Sequence, residues 1–400
     1  MFNVINIFEP SRRAALARLA HFAPSAARQY AEARNTDPGP GAAGAVSRLS
    51  PYLRYRLLTE REVVAAVLDR HGLAAAEKFV QEVLWRTYWK GWLAMRPAVW
   101  ARFVQERDRQ RQDFADTSLL AAAEAGATGI EGFDDWAREL VATGYLHNHA
   151  RMWFASIWIF TLRLPWTLGA DFFLRHLLDA DAASNTLSWR WVAGLQTIGK
   201  HYLATTDNIA RYTNGRFAPK GLAVGAPSLT EPPVEPAQGL REPKRPAPGE
   251  RSLLLVTHED LHPESLFAGD LPIGAALVLV DGDLLWGDAA RSFVRSAAAD
   301  AARRVAAHFG CQSDASDSLD AEVLISAARA AGVRQIVTAE APVGPVADAL
   351  AGLEPALADE GIVLAGVRRG WDERFWPHAK KGYFTFKERI PALLRAEGLL

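Results

Sequence analysis

A single cysteine, Cys311, stands in 400 residues, which excludes a disulfide framework and any cysteine-based metal-ligand spacing. Long apolar runs are missing too. The longest, Met152 to Leu162, contains Ser156 and Thr161 and stops at Arg163. It is too short to cross a bilayer, so it reads as a buried helix and no membrane partner is expected. The opening MFNVINIFEPSRRAA has no extended apolar core and no cleavage site, so no secretory leader is expected and the compartment is taken as cytoplasmic. Neither charge is in excess: the formal net charge is −1, which alone speaks against a nucleic-acid protein. No site for a metal is expected.

What is present is a composition of 49% hydrophobic and 23% charged residues, that of a soluble globular protein. The length predicts two domains, in a chain expected to be a monomer. Charge is divided unevenly between them. Residues 1–225 hold 27 Lys and Arg against 21 Asp and Glu, and ten of the 13 tryptophans. The remainder holds 18 against 25. A basic, aromatic-rich part beside an acidic one is compatible with binding a phosphate backbone, and equally with two solvated surfaces of chance imbalance.

The first part reads as helical. Ser11 to Tyr30 is an amphipathic helix opened by Pro10, Glu60 to Pro97 two helical patterns, Arg102 to Gln112 a charged helix, and Glu131 to Gly144 a helix with a glycine C-cap. Glu82 and Arg86 have the i,i+4 spacing of a surface ion pair. Gly39, Gly41 and Gly44 form a G-x-G-x-x-G string, but no strand precedes it, so the dinucleotide reading fails. The loop leads into Ser47-Arg48-Leu49-Ser50-Pro51. Its hydroxyls and guanidinium suit a pyrophosphate, and Ser50-Pro51 equally suits a helix start with Ser50 as the cap.

Residues 144–191 hold the densest set of polar groups in an apolar setting: His147-Asn148-His149, Arg151, Asp179-Ala180-Asp181 and Ser184-Asn185, with Trp166, Trp189 and Trp191 among them. A helix running on from His147 places Arg151 one turn later. Arg151 then pairs with Asp179 or Asp181, either as a structural tie between core helices or as part of a ligand site.

Residues 225–250 hold seven prolines and form an extended linker. At ~3.1 Å per residue it reaches roughly 80 Å. Beyond it the pattern alternates. Leu253–Thr257, Ala275–Val280, Gln335–Thr338 and Ile362–Val367 read as buried strands. Ala289–Phe309, Leu319–Ala331 and Gly344–Ala358 read as helices. Together they predict a parallel α/β sheet. The loop His258-Glu259-Asp260-Leu261-His262 follows the first strand, where ligands of such sheets sit, although a plain polar loop is the commoner case. Phe375-Trp376-Pro377-His378 and Lys380-Lys381-Gly382-Tyr383-Phe384 take no role in this reading.

Tyr145-Leu146-His147-Asn148-His149 with Arg151, then Trp166, Asp179-Ala180-Asp181, Asn185 and Trp189-Arg190-Trp191, resemble in order and spacing the FAD-binding helical domain of the photolyase/cryptochrome family. The family's Thr-Ser-Arg-Leu-Ser is matched at 46–50 with Val46 in place of threonine. Its Glu-x-x-Trp-Arg-Glu-Phe is matched at Glu82, Trp85 and Arg86, with Thr87 in place of the second glutamate. The implied architecture is a mainly α FAD-binding domain over 1–222, a linker over 223–250, and an α/β parallel-sheet, Rossmann-like, antenna-like domain over 251–400. That order is permuted, because family members carry the α/β domain first.

The resemblance implies FAD held by Tyr30, Ser47, Arg48, Leu49, Ser50, Arg86, Asn148, Arg151, Asp179, Asp181 and Asn185. It implies an antenna chromophore of unspecified kind, and a lesion pocket lined by Glu82, Trp85, Met152 and Trp191. Asn185 takes the position facing flavin N5, where repair enzymes usually carry Asn. Trp189 and Trp166 match the first two members of an electron relay whose third position falls near Asp113 or Phe114, where no tryptophan stands. The implied activity is that of a deoxyribodipyrimidine photolyase, a lyase acting on DNA that contains pyrimidine dimers. The alternatives are a cryptochrome-like photoreceptor that binds FAD without repair, which His149 in place of a common arginine favours, and a helical interaction protein without FAD.

Overall fold

The computed structural model describes residues 7–42, 44–114, 117–227, 229–267, 271–280 and 282–400. Its helical part runs α1 (Arg12–Phe22), α2 (Arg28–Ala33), α3 (Ser50–Arg54), α4 (Glu60–Ala94), α5 (Pro97–Asp113), α6 (Ser118–Ala125), α7 (Phe133–Thr143), α8 (Asn148–Ser156), α9 (Trp166–His176), α10 (Ala182–Val192) and α11 (Thr206–Tyr212).

The single helix expected over Ser11–Tyr30 is broken. A 3-10 turn at Ala23–Ser25 contains Pro24, which cannot donate to the helical ladder, and α2 restarts beyond it. The two helical patterns expected over 60–97 are found: α4 is broken at Gly72, whose φ 69° and ψ 165° are not helical, into two helical stretches. Thr59 and Glu62 open it as a reciprocal capping box. The long apolar run is helical as expected, α8 passing into a π turn at Ile157–Thr161. Gly144, at φ 68°, closes α7.

All strands of the described sheet follow the linker: β1 (Ser252–Val256), β2 (Ile273–Leu279), β3 (Gln312–Ser316), β4 (Gln335–Ala339) and β5 (Val363–Val367), interleaved with α12 (Asp288–Phe309), α13 (Ala321–Ala331) and α14 (Pro345–Asp359). The sheet is parallel throughout, in the order β3-β2-β1-β4-β5, so its direction of winding reverses between β1 and β4. β3 was not anticipated. Its sequence QSDAS is polar and largely exposed, so no apolar signal marks it, and it pairs along one edge only. Three short helices follow: α15 (Gly370–Phe375), α16 (Tyr383–Lys387) and α17 (Ile390–Ala396).

Period-two alternation splits the sheet between two cores. Leu254, Val256, Ala276, Val278, Val337 and Ala365 join the apolar interior of the helical part. Leu253, Leu255, Leu277, Leu279, Ile336 and Leu364 pack instead with Leu324 of α13 and Leu350 and Leu357 of α14. The helical part therefore lies against one face of the sheet. The linker straps across both. Gln238 N donates to Met95 O, Trp166 Nε1 donates to Glu231 at 2.9 Å, and Gly366 N of β5 donates to Lys244 O at 2.9 Å. Among the described residues no helix is long and apolar enough to cross a membrane, and no group of three or more His, Cys, Asp or Glu is placed to hold a metal ion.

Candidate functional site

The turn Asp179-Ala180-Asp181 is the hub of the helical part. Asp181 caps α10, accepting from Ser184 N at 2.7 Å, which fixes the turn against the helix start. Three successive acceptors then meet three arginines from different elements. Arg151 of α8 grips Asp179 with two hydrogen bonds, at 3.0 and 2.9 Å. Arg54 of α3 donates through Nε to Ala180 O at 2.8 Å. Arg86 of α4 pairs with Asp181. Planar guanidinium forks suit such bidentate contacts, and both carboxylates are nearly inaccessible to water, so pairing is required. Burial pushes the Asp179 and Asp181 carboxyls up. The facing cations outweigh it and hold both below the usual range: Arg151 and Arg86 for Asp179, and Arg86, Lys90 and Arg54 for Asp181.

Of the two partners left open for Arg151, the structure takes Asp179. The Glu82–Arg86 surface pair does not form. Arg86 turns to Asp181, and Glu82 pairs with Arg34. An exposed i,i+4 pair contributes a few tenths of a kcal/mol, roughly 0.3–0.5, so partners brought in by tertiary packing displace it. Arg34 also hydrogen-bonds Tyr30, whose ring lies edge-on to Phe22 and Phe79. Burial raises the Glu82 carboxyl against the opposing pull of Arg34.

Ser50 does not cap α3. It is the first helical residue, Leu49 occupies the cap position without a side-chain bond, and the Ser50 hydroxyl faces Asp179. Leu49 N donates to Ser47 Oγ at 3.3 Å. Arg48 holds φ 52°, a conformation that non-glycine residues enter rarely. Its guanidinium donates to Ala42 O and lies 5.5 Å from the centre of the Tyr145 ring, and Arg151 lies 5.7 Å from the same ring. Among the described residues Arg48 makes no ion pair, which leaves its charge to an anion. His147 is buried, and burial lowers its pKa to about 4, so the ring is neutral at pH 7. Its Nδ1 accepts from His149 N at 3.2 Å, which puts the proton on Nε2, and Nε2 has no hydrogen-bond partner among the described residues. A buried donor without an acceptor is costly, and a ligand acceptor would satisfy it. The residues present therefore fit an anionic, hydrogen-bonding cofactor.

Asn148 stands exposed at the first position of α8. Asn185 is buried and donates to Ala170 O at 2.8 Å. His149 stacks on Trp153 at 4.3 Å and bonds Asn35 O. Met152 is half-buried. The two tryptophans expected in the lesion pocket have different ring neighbours. Trp191 is exposed and meets Tyr202, whereas Trp85 contacts Tyr88, Trp89 and Tyr383. Tyr383 lies flat on Trp85, with ring centroids 3.4 Å apart at 10°. Thr87, where the resemblance expects a glutamate, is buried and accepts from Trp371 Nε1 at 3.1 Å.

Trp189 is buried against Gly169, where any Cβ would collide with its ring. Trp166 packs at 5.6 Å on Phe103, Phe103 at 5.4 Å on Trp100, and Trp100 at 5.8 Å on the half-buried Trp286. Asp113 is instead exposed and paired with Arg109.

Sequence reasoning missed Arg34, Arg54 and Lys90. Arg54 bridges two parts of the chain, donating to Glu259 at 2.7 and 2.8 Å. Lys90 is buried with no hydrogen-bond partner among the described residues, and burial lowers its pKa. One signal was legible: Lys90 follows Arg86 by one turn of α4. The loop after β1, for which a plain polar loop is the commoner case and a ligand site the other, is buried and engaged. Glu259 holds Arg54, and Asp260 holds Arg369 and Arg56.

The chain is similar to known proteins over its helical part. Residues 79–217 match the family model described as the FAD binding domain of DNA photolyase. A deoxyribodipyrimidine photo-lyase of Streptomyces griseus is 40% identical over 157 residues, 39% of this chain and 34% of the relative. One from Thermus thermophilus is 34% identical over 246 residues, 59% of this chain and 56% of the relative. The crystal structure of a class III photolyase from Agrobacterium tumefaciens overlaps 52% of this chain and 44% of its own, with 28% identity and a TM-score of 0.45. The chain thus spans between about a third and just over half the length of the curated relatives it matches. Through its helical part, the chain is similar to the photolyase/cryptochrome family.

Proposed function

We propose that the protein binds FAD in the helical part and uses light to split pyrimidine dimers in DNA. The observation that carries this reading is the Asp179-Ala180-Asp181 turn, held by Arg151, Arg54 and Arg86, together with His147 Nε2, which has no hydrogen-bond partner among the described residues, and Arg48, which makes no ion pair among them. Reduced FAD, when bound, supplies the photoexcited electron donor; the protein supplies position and field. Arg48, Ser47, Leu49 and Ser50 sit at the start of α3, where backbone N–H groups and a guanidinium favour phosphates. Arg151 with Asp179, Arg86 with Asp181, and Asn148, Asn185 and Tyr30 hold the remainder of the cofactor. Glu82, Trp85, Met152 and Trp191 form the lesion side. A damaged base leaves the stack at lower cost than an intact one, which favours dimers over normal DNA.

In this reading residues 1–222 form the FAD-binding domain, 223–250 the linker and 251–400 an antenna-like Rossmann domain placed after it. Ligands of such sheets sit where the strand order reverses, beyond β1 and β4. Here Arg54 and Arg56 reach Glu259 and Asp260 in that place. A second chromophore is better accommodated by the 430 Å³ cavity between the linker and β5, lined by Arg245, Pro248, Phe267, Val367 and Arg368.

A second reading, light sensing without repair, is favoured by one observation: Tyr383 occupies a face of Trp85 that a base would stack on. Purification and a repair assay decide. The full chain should be yellow with stoichiometric FAD, and light should restore an oligonucleotide carrying a cyclobutane dimer. Flavin-loaded, reduced protein that leaves the dimer intact under light would replace repair with sensing; colourless protein would end both readings.

A further inference from the structure

The segment after α15 has no part in the reading above, yet it is fastened to the helix that carries Trp85. Arg96 donates to Lys380 O at 2.8 Å, Tyr88 OH to Lys381 O at 2.9 Å, and Tyr383 OH to Gln81 O at 2.8 Å. Gly91 lets the segment approach α4 closely, since a Cβ there would lie 2.8 Å from Trp376 Cα. The segment 380–383 is thus pinned along the second half of α4 and the turn after it, from residue 81 to 96, with Tyr383 flat on Trp85.

What this mounting leaves outside is specific. Lys380 and Lys381 are exposed, and Phe384, beside the buried Tyr383, is 81% exposed. Residues 380–389 hold Lys380, Lys381, Lys387 and Arg389 against Glu388 alone, in a half of the chain that is acidic overall. Lys387 is engaged with Glu77 at 3.5 Å, which leaves the two adjacent lysines to face solvent. An aromatic ring held in water between cations is the chemistry of a single-stranded or unstacked nucleic-acid contact, in which cations track phosphates and a ring stacks on a base.

We infer that residues 380–384 form a DNA-contact strip at the edge of the lesion pocket, with Lys380 and Lys381 on the phosphate backbone and Phe384 against a base beside the opened site. The inference rests on the repair reading and adds to it a contact surface from outside the matched FAD-binding region, residues 79–217.

The test compares the full chain with Lys380→Ala/Lys381→Ala, Phe384→Ala and Arg329→Ala. The last removes an exposed charge from α13, on the far face of the sheet. Binding to a short duplex with one cyclobutane dimer, and to the same duplex undamaged, is measured by fluorescence anisotropy across a salt series, with flavin content read alongside. The double-lysine variant should bind about tenfold more weakly at low salt and lose roughly 2 from the slope of log affinity against log salt. Phe384→Ala should lose about tenfold at every salt concentration with its slope kept, as expected for a stacking contact. Arg329→Ala should match wild type, and all variants should keep their flavin. Wild type that binds the duplex, with lysine and Phe384 variants that bind as tightly, overturns this inference and leaves the repair reading standing. Flavin-loaded wild type that binds neither duplex at any salt overturns both.

Discussion

Replacing Arg151 by alanine isolates the central contact of the site. Asp179 is 4% exposed and accepts two hydrogen bonds from Arg151, which also donates through Nε to Leu146 O at 2.9 Å. Removing one partner of a buried ion pair costs about 3–5 kcal/mol, because the other charge stays buried. The Arg151 side chain is 22% exposed, and Arg86 and the Ser50 hydroxyl still act on Asp179, so the lower end applies, about 3 kcal/mol. The reverse change, Asp179→Asn, leaves a guanidinium that water already reaches and should cost about 1–2 kcal/mol, the range of a lost charge-assisted hydrogen bond. For a urea slope of about 3 kcal/mol/M, Arg151→Ala should lower the unfolding midpoint of the flavin-free protein by roughly 1 M, and Asp179→Asn by roughly 0.3–0.7 M.

The effect carries a sign in pH. The Asp179 carboxyl is depressed in the folded state, so its contribution is fully present above the unfolded value of about 3.9 and is lost as pH falls through the folded value. Without Arg151 the buried carboxyl gains a higher pKa and takes up a proton earlier on acidification, which relieves the penalty. The gap between wild type and Arg151→Ala should therefore close on the acid side of neutrality. Flavin retention is the functional readout, and Arg151→Ala should purify with little flavin. An unchanged urea midpoint together with a full flavin complement would refute the reasoning.

Two further expectations concern neighbouring parts. The Arg54–Glu259 pair is almost fully buried, so Arg54→Leu and Glu259→Leu should each destabilise by roughly 3–5 kcal/mol while the double substitution costs far less than their sum; additive losses in urea unfolding would show that the two groups are not coupled. If light-driven flavin reduction by an external thiol draws electrons along Trp189 and Trp166, the aromatic contacts of Trp166 continue through Phe103 to Trp100, so Trp189→Phe, Trp166→Phe and Trp100→Phe should each slow photoreduction. Rates equal to wild type in all three would remove the relay role.

Much of the fold is written locally. The sheet strands alternate apolar residues or run apolar throughout, the helices carry caps and glycine stops, and both signals depend on near neighbours in the chain. That is why β1, β2, β4 and β5 lie within two residues of their expected limits. The elements misjudged are those without such signals. β3 is a polar edge strand that exists because β2 offers it a hydrogen-bonding partner, and α1 ends at a proline inside an otherwise good amphipathic pattern.

The site divides along the same line. Arg151, Asp179, Asp181 and Asn185 were recognisable because their types recur at fixed offsets within one stretch of chain. Which cation meets which anion was decided by packing. Arg86 leaves Glu82 for Asp181, Glu82 goes to Arg34, and Arg54 reaches across some two hundred residues of chain to Glu259. Spacing along a helix names the charges that are near; burial decides among them, because desolvation makes an unpaired charge far costlier than any surface pair is worth. The same holds for Tyr383 on Trp85. Nothing in either segment's own sequence announces the stack, and only the closed fold, with Gly91 admitting Trp376 against α4, lays one ring on the other.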